Sequence, residues 1–472
     1  MENLKKGLLW SAIDRFSVIF IQILIEILLA RMIAPVNYGI IGLASMFIVF
    51  GNVLLDSGFS KALIQDQNRN KSDFSTMFYL NIGISILVYI ILFIISEYIA
   101  DYFKYEELSI VIKILSLNIV LTGLTLIQRT KLTIDLNYKT QAKISLVSII
   151  IAGFTSTIMA YKGLGIWALV CQTLITNLIS LILYYINNPI FPSIRDVTLQ
   201  SFKKLINFGG PLTISSLIQA LYQNSFTFLI GKEYTANKLG MYNKVNQFTL
   251  MPISVLTNIV NRVTYPELSK MQSENEKLGY VNYKFAEYFS YVIFPFFIAL
   301  ASVNESFIKI FLGDMWIESV NIFTILSISY MFYPFTVMNM TLFQIKDRTK
   351  LFFRIDLVSK LISFLLLCYM LKFGIIWVCI SILISQVLQF ILSTIFSYKL
   401  LQFKTSKYFR SLIINLIYFA FIYVVVLKIN NLIENHYSKL IFSLIMFLFS
   451  TLFLIKLKDK ALFEKIKLIV SR

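Results

Sequence analysis

The chain has 472 residues, 57% of them hydrophobic and only 14% charged, with a mean hydropathy of +0.75. A soluble domain is about 45–50% apolar and about 25% charged, so the composition excludes a single soluble core and a disordered chain, and points to a bilayer as the solvent. The net charge of +18 fits either a nucleic-acid partner or the positive-inside bias of a polytopic membrane protein, and the placement of the charges decides between them.

The amino end, MENLKKGLLW, has the charge of a signal-peptide n-region. The apolar stretch behind it runs to about residue 32, beyond the roughly 7–15 residues of an h-region, and reads as the first membrane helix. Helices are predicted at about 8–32, 38–60, 74–96, 108–127, 144–161, 164–186, 205–231 and 239–261, then at about 285–303, 319–345, 355–371, 374–398, 409–429 and 438–456. Each meets the roughly 17–25 residues that a spanning helix needs, which makes an all-α polytopic membrane protein with about fourteen transmembrane helices. Pro211, Pro252, Pro295 and Pro334 fall within or near the ends of four of them and are candidate kinks.

The connectors orient this arrangement. With the amino end cytoplasmic and the sides alternating, thirty of the 43 basic residues fall on the cytoplasmic side and nine on the other. That asymmetry follows the positive-inside rule, puts both termini in the cytoplasm and removes the nucleic-acid reading. The connectors are short and hold no Walker motif, so a soluble catalytic domain and ATP hydrolysis are not expected. Cys171, Cys368 and Cys379 form no CxxC pair and read as membrane-buried hydrophobes. His436, the one histidine, is expected in a connector and cannot build a metal cluster.

A shift of 201 residues aligns Gln22 with Gln223, Arg31 with Lys232, Gly39 with Gly240, Phe47 with Phe248 and Lys61 with Arg262. A shift of 210 aligns Lys162, Ile166 and Trp167 with Lys372, Ile376 and Trp377. These matches predict two parallel six-helix repeats, an N-lobe over residues 1–200 and a C-lobe over 201–400, around a central cleft, with two extra C-terminal helices and a basic tail in 401–472.

Ionisable and polar residues inside the membrane are costly and are functional candidates for that reason. Ser11, Arg15, Gln22 and Glu26 share one face of the first helix beside Asp14. Ser216, Gln219, Gln223 and Thr227 share a face of the seventh. Both stripes are expected at the cleft. Asp56 ends the second helix, where it is placed to pair with Arg15. Lys244 lies one turn into the eighth, beside Asn243 and Gln247, where its stem can snorkel. Lys113 and Lys360 are expected to snorkel as well, and Glu287 to cap the ninth helix. Lys61 and Arg262 would flank the cytoplasmic mouth of the cleft.

LLARMIAPVNYGIIGL (28–43), DSGFSKALIQ (56–65), GLGIWALVCQTL (163–174) and IKIFLGDMW (308–316) resemble the characteristic segments of the polysaccharide-transporter family, within the multidrug/oligosaccharidyl-lipid/polysaccharide flippase superfamily. Arg31, Gly39, Asp56 and Gly58 stand at family positions, with no chemical role assigned. The resemblance implies a Wzx-type flippase, not an enzyme. Such a protein carries an undecaprenyl-diphosphate-linked repeat unit of O-antigen, capsule or exopolysaccharide to the outer leaflet of the bacterial inner membrane by alternating access. Its partners would be that lipid, membrane lipids and polysaccharide polymerase machinery. In this reading Arg15, Lys244, Arg262 and Lys61 offset the diphosphate, and Gln22, Gln219, Gln223, Asn243 and Gln247 meet the sugars. No cofactor is expected; a proton or sodium gradient would act through Asp14, Glu26 or Asp56. The alternative is a cation-coupled multidrug exporter of the same superfamily.

Overall fold

A computed structural model describes residues 2–56, 58–460 and 463–464, with only the backbone described for residues 2–16, 258–259 and 261–263. A backbone amide in hydrocarbon finds no water, so a spanning segment must satisfy its own hydrogen bonds. Accordingly the described residues contain helices and no strand. In chain order they are α1 (Glu2–Met32), α2 (Pro35–Asp56), α3 (Phe59–Gln65), α4 (Lys71–Phe103), α5 (Glu107–Leu115), α6 (Leu117–Ile134), α7 (Tyr138–Tyr161), α8 (Ile166–Asn187) and α9 (Leu199–Glu233). There follow α10 (Ala236–Ser269), α11 (Asn275–Ser302), α12 (Asn304–Phe307), α13 (Val320–Tyr330), α14 (Tyr333–Ile345), α15 (Thr349–Met370), α16 (Ile375–Leu400), α17 (Thr405–Asn430) and α18 (His436–Lys458).

Among the described residues, ten helical stretches are long and apolar enough to cross a membrane, against the roughly fourteen spans expected. α9 and α10, 35 and 34 residues long, fall outside the ten because amides and hydroxyls run along them. α15 falls outside because Arg354, Asp356 and Lys360 crowd its 22 residues. Many large apolar side chains face outward, with Phe20 64% and Phe154 69% exposed, whereas Asn81, Ser148, Asn282 and Asn339 are buried. An apolar exterior around an interior of apolar packing interspersed with amides and hydroxyls suits a lipid solvent, where van der Waals packing and interhelical hydrogen bonds hold helices together.

Several boundaries depart from expectation. The second predicted helix is cut into α2 and α3 by Gly58, so Lys61 stands on a separate short helix. The tenth breaks at Met331 and Phe332, and Pro334 opens α14, where a missing N–H costs no hydrogen bond. Glu287 does not cap a helix, because α11 begins at Asn275 and carries it inward; buried there, it accepts from Lys284 at 2.8 Å and Ser411 at 3.0 Å. His436 is the first residue of α18 and lies 3.1 Å from the Ser306 hydroxyl. Gly374, at φ 112°, ends the connector before α16 in the left-handed region that glycine tolerates.

The chain forms two compact units, residues 1–240 and 241–472. In the first, α1 packs on α7, α7 on α8, α4 on α5 and α6, and α9 on α2, α3 and α4. That last packing places α9 with the first unit, whereas the repeat pattern begins a new lobe at residue 201. In the second unit α11 packs on α13, α17 and α18, and α16 on α13, α14 and α15. A buried network joins three of these helices to Tyr408: Asn282 donates to Tyr398 at 3.0 Å, and Asn339 donates to Thr394 at 2.8 Å and to Tyr408 at 3.4 Å.

Within the first unit, α2 and the start of α10 cross at van der Waals distance. A Cβ on Gly39 would overlap the Ala236 carbonyl, and a Cβ on Gly240 would overlap the Pro35 carbonyl. The contact is reciprocal under the 201-residue shift, which carries Pro35 to Ala236 and Gly39 to Gly240. Helix boundaries follow the same shift: α1 ends at Met32 and α9 at Glu233, while α2 begins at Pro35 and α10 at Ala236.

A second contact ties the first turn of α9 to the α3–α4 connector. Asn70 and Asp73 form a capping box at the start of α4. Asp73, 2% exposed, accepts from Ser201 at 2.6 Å and pairs with Lys204 at 3.0 Å, so both of its oxygens are engaged despite burial. Lys204 also pairs with Asp66, and the Ser72 and Thr198 hydroxyls meet at 2.7 Å. The ammonium holds the Asp66 carboxyl below the usual carboxylate range, and the two carboxylates raise Lys204 above the usual lysine range.

Gly39→Val and Gly240→Val should each destabilise the protein by about 1–3 kcal/mol, as overpacking does, lowering the melting temperature in detergent. Gly83→Ala, where nothing lies within 4 Å, should leave it unchanged or slightly raised. Lys204→Met should lower the melting temperature near neutral pH. Asp66 is depressed, so its share of the pairing is present above its unfolded pKa and lost as pH falls through its folded one. Lys204 is raised, so its share is full below its unfolded pKa and lost as pH climbs through its folded one. The gap between wild type and Lys204→Met should therefore close at both extremes of a pH series.

Candidate functional site

The polar stripes expected on the first and seventh helices stand on α1 and α9. On α1, Gln22 and Glu26 lie one turn apart, both half-buried. Ser11 and Arg15, which would complete that stripe, and Asp14 beside it lie outside the residues whose side chains are described. On α9, Gln219 and Gln223 are exposed, with Ser216 and Thr227 half-buried on the same side of the helix. These helices have different principal partners, α7 for α1 and α2 for α9. The α1–α2 junction explains part of the local geometry. Ile33 closes the last turn of α1 onto Leu29, and Pro35 begins α2, so Arg31, in the last turn of α1, stands only four residues before the next helix begins.

Asp56 closes α2 and is exposed, accepting a 2.7 Å hydrogen bond from Ser60. Its expected pairing with Arg15 lies outside the described side chains, as does Arg262. Lys61 is exposed on α3.

Lys244 does not reach for an interface. It is 1% exposed, and its ammonium lies 5.5 Å from the centre of the Phe248 ring, one turn further along α10. Phe248 in turn meets Phe307 edge to face at 6.3 Å. Asn243 and Gln247, also a turn apart, are half-buried on a neighbouring strip of α10. On a helix Asn243 lies about 100° and Gln247 about 60° around from Lys244, both on the same side of it, so the two amides flank the lysine's strip. Of the other expected snorkelling lysines, Lys113 pairs with Glu97 at 2.7 Å and Lys360 with Asp356 at 2.6 Å. Lys113 and Lys360 are thus each paired with a carboxylate.

The second unit also contains a feature that the polar-stripe search missed. A cavity of about 470 Å³ lies among α10, α14, α15 and α16, with Asp356, Gln344 and Gln389 in its wall. The available signal was the pairing of Asp356 with Lys360 at i and i+4, which reads as an ordinary helix pair until the opposite helix is in place.

Comparison with known proteins identifies the fold and the family. The sequence is 26% identical over 330 residues to the teichuronic acid biosynthesis protein TuaB of Bacillus subtilis (strain 168), covering 69% of this chain and 68% of that one. It is 27% identical over 322 residues to the lipopolysaccharide biosynthesis protein WzxC of Escherichia coli (strain K12), covering 67% of this chain and 64% of that one. The fold is shared with the lipid II flippase MurJ in an inward closed conformation, at a TM-score of 0.76 and 16% identity, over 96% of this chain and 99% of that one. The profile of the family described as polysaccharide biosynthesis protein matches residues 28–321, and with that match this multi-pass membrane chain belongs to the family.

Proposed function

We propose that the chain is a flippase that moves an undecaprenyl-diphosphate-linked oligosaccharide repeat unit from the inner to the outer leaflet of a bacterial inner membrane. The observation that carries this reading is the coincidence of polysaccharide-biosynthesis relatives with a fold shared by a lipid II flippase. A hydrophilic glycan and a charged diphosphate must cross hydrocarbon while the polyprenyl tail stays in it. A bundle that is apolar outside and carries buried amides and hydroxyls among its helices offers polar partners for such a head group.

In this reading about fourteen helices cross the membrane, α9, α10 and α15 among them, with both termini cytoplasmic. Two six-helix lobes, 1–200 and 201–400, alternate access around a central cleft, and α17 and α18 follow as an addition. The reciprocal Gly39–Ala236 and Gly240–Pro35 contact and the matched helix ends support the repeat. By the repeat α9 opens the second lobe, while by packing it sits on the first unit, so its first turn is a natural place for lobe movement to make and break contacts.

Arg15, Lys61, Lys244 and Arg262 remain the proposed diphosphate partners, and Gln22, Gln219, Gln223, Asn243 and Gln247 the proposed sugar partners. Lys244 is buried inside the protein and does not reach a lipid headgroup in this structure. Asp14, Glu26 and Asp56 are the proposed sites through which a proton or sodium gradient acts, and the polysaccharide polymerase machinery would take up the product.

Deleting the gene in its native host should leave lipid-linked oligosaccharide in the cytoplasmic leaflet and remove the surface glycan, as measured by mass spectrometry of extracted lipids and by surface labelling. Unchanged glycan with new sensitivity to cationic drugs would instead favour a cation-coupled exporter. Glu26→Gln combined with Asp56→Asn should cut complementation at least tenfold; full complementation would remove both from the coupling mechanism.

A further inference from the structure

The wall of the cavity in the second unit combines two kinds of group. Tyr265 near the end of α10, Tyr333 at the start of α14 and Phe352 at the start of α15 present aromatic rings. Gln344, Asp356 and Gln389 present amides and a carboxylate. Its volume of about 470 Å³ falls within the roughly 300–1,000 Å³ of small-molecule sites.

The charge balance narrows what can bind. Asp356 receives the Lys360 ammonium at 2.6 Å, so the pair brings no net charge to the wall. Gln389 reaches the other carboxylate oxygen at 3.5 Å, the outer limit of a hydrogen bond, which leaves its amide free to turn toward a ligand. An inorganic ion would find its countercharge already taken. A lipid tail would strand the amides and the carboxylate without water, at a cost of about 1–3 kcal/mol for each group. A neutral polyhydroxyl ring suits both kinds of group: its C–H face can lie on an aromatic ring, and its hydroxyl rim can donate to carboxylate and carbonyl oxygens and accept from amide N–H groups.

The position agrees. Tyr265, Gln344 and Phe352 lie near the ends of helices joined by connectors over residues 270–274 and 346–348, which belong to the lysine- and arginine-rich set. In the topology proposed above, that side is where a lipid-linked glycan is loaded.

We propose that this cavity is a sugar subsite that receives one residue of the transported glycan, stacked on Tyr333 and Phe352 and hydrogen-bonded by Asp356, Gln389 and Gln344. The proposal rests on the flippase reading and adds a specificity determinant to it, because polar groups built to meet hydroxyls reject a ligand that lacks them.

Full-length wild type and the variants Tyr333→Leu, Tyr333→Phe, Gln389→Leu and Asp356→Asn are returned to the deletion host, with membrane levels checked by immunoblot. In parallel, the purified proteins in nanodiscs are probed by saturation-transfer NMR with free disaccharides of hexose, N-acetylhexosamine and uronic acid. Tyr333→Leu and Gln389→Leu should lower surface glycan at least tenfold at normal membrane levels and abolish saturation transfer to the preferred disaccharide. Tyr333→Phe, which keeps the ring, should retain most of both. Wild-type output and unchanged saturation transfer from the Leu variants would overturn the subsite while leaving the flippase reading intact. Loss confined to Asp356→Asn would overturn it in favour of an ion-coupling carboxylate. Should the deletion leave surface glycan untouched, the flippase reading fails, and the NMR arm decides the cavity alone: transfer that Tyr333→Leu abolishes keeps a sugar site, and no transfer to wild type overturns it.

Discussion

Every backbone N–H and C=O placed in hydrocarbon must find its partner within the protein. That requirement makes the long described segments helices, with no strand among the described residues, and leaves side chains as the means of distinguishing one helix from another. Because lipid is as apolar as leucine, burying leucine adds little to helix association, and close packing and interhelical hydrogen bonds take its place. Both are present. The Gly39–Gly240 crossing brings two backbones to a distance that no Cβ permits, and the Asn282–Tyr398 and Asn339–Thr394 bonds join helices far apart in sequence.

The same physics governs the charges. A lone ion inside the bilayer is expensive, and the structure pairs Lys113 with Glu97, Lys360 with Asp356 and Lys284 with Glu287. Lys204 binds two carboxylates at once where the α3–α4 connector meets α9. This ion cluster and the glycine crossing both act on the segment that begins the second copy of the proposed repeat. They give that segment a precise seat on the first unit, one that tight packing holds at one end and titratable groups hold at the other.

Much of the architecture was legible in the chain. Helix-length apolar runs need no tertiary information, and nearly every predicted run coincides with helix. Breaks were less legible. The cut at Gly58 and the interruption before Pro334 depend on what packs alongside, since glycine and proline also occur in unbroken helices here, as Pro211 and Pro295 do. The site was legible only as a set of residue types. Amides and ions inside apolar runs can be counted from sequence, but their direction around a helix and their partners cannot.

The sequence by itself determined that this protein lives in a membrane, that it is helical, and that its motifs belong to polysaccharide biosynthesis, because hydropathy, period and local motif are properties of contiguous residues. Only the tertiary structure decided that Lys244 is buried beside Phe248, that α9 packs on α2, α3 and α4, and that Asp356 and Gln389 share a cavity with three aromatic rings. Those outcomes depend on which helix faces come together, and helix faces separated by tens of residues meet only once the chain is packed.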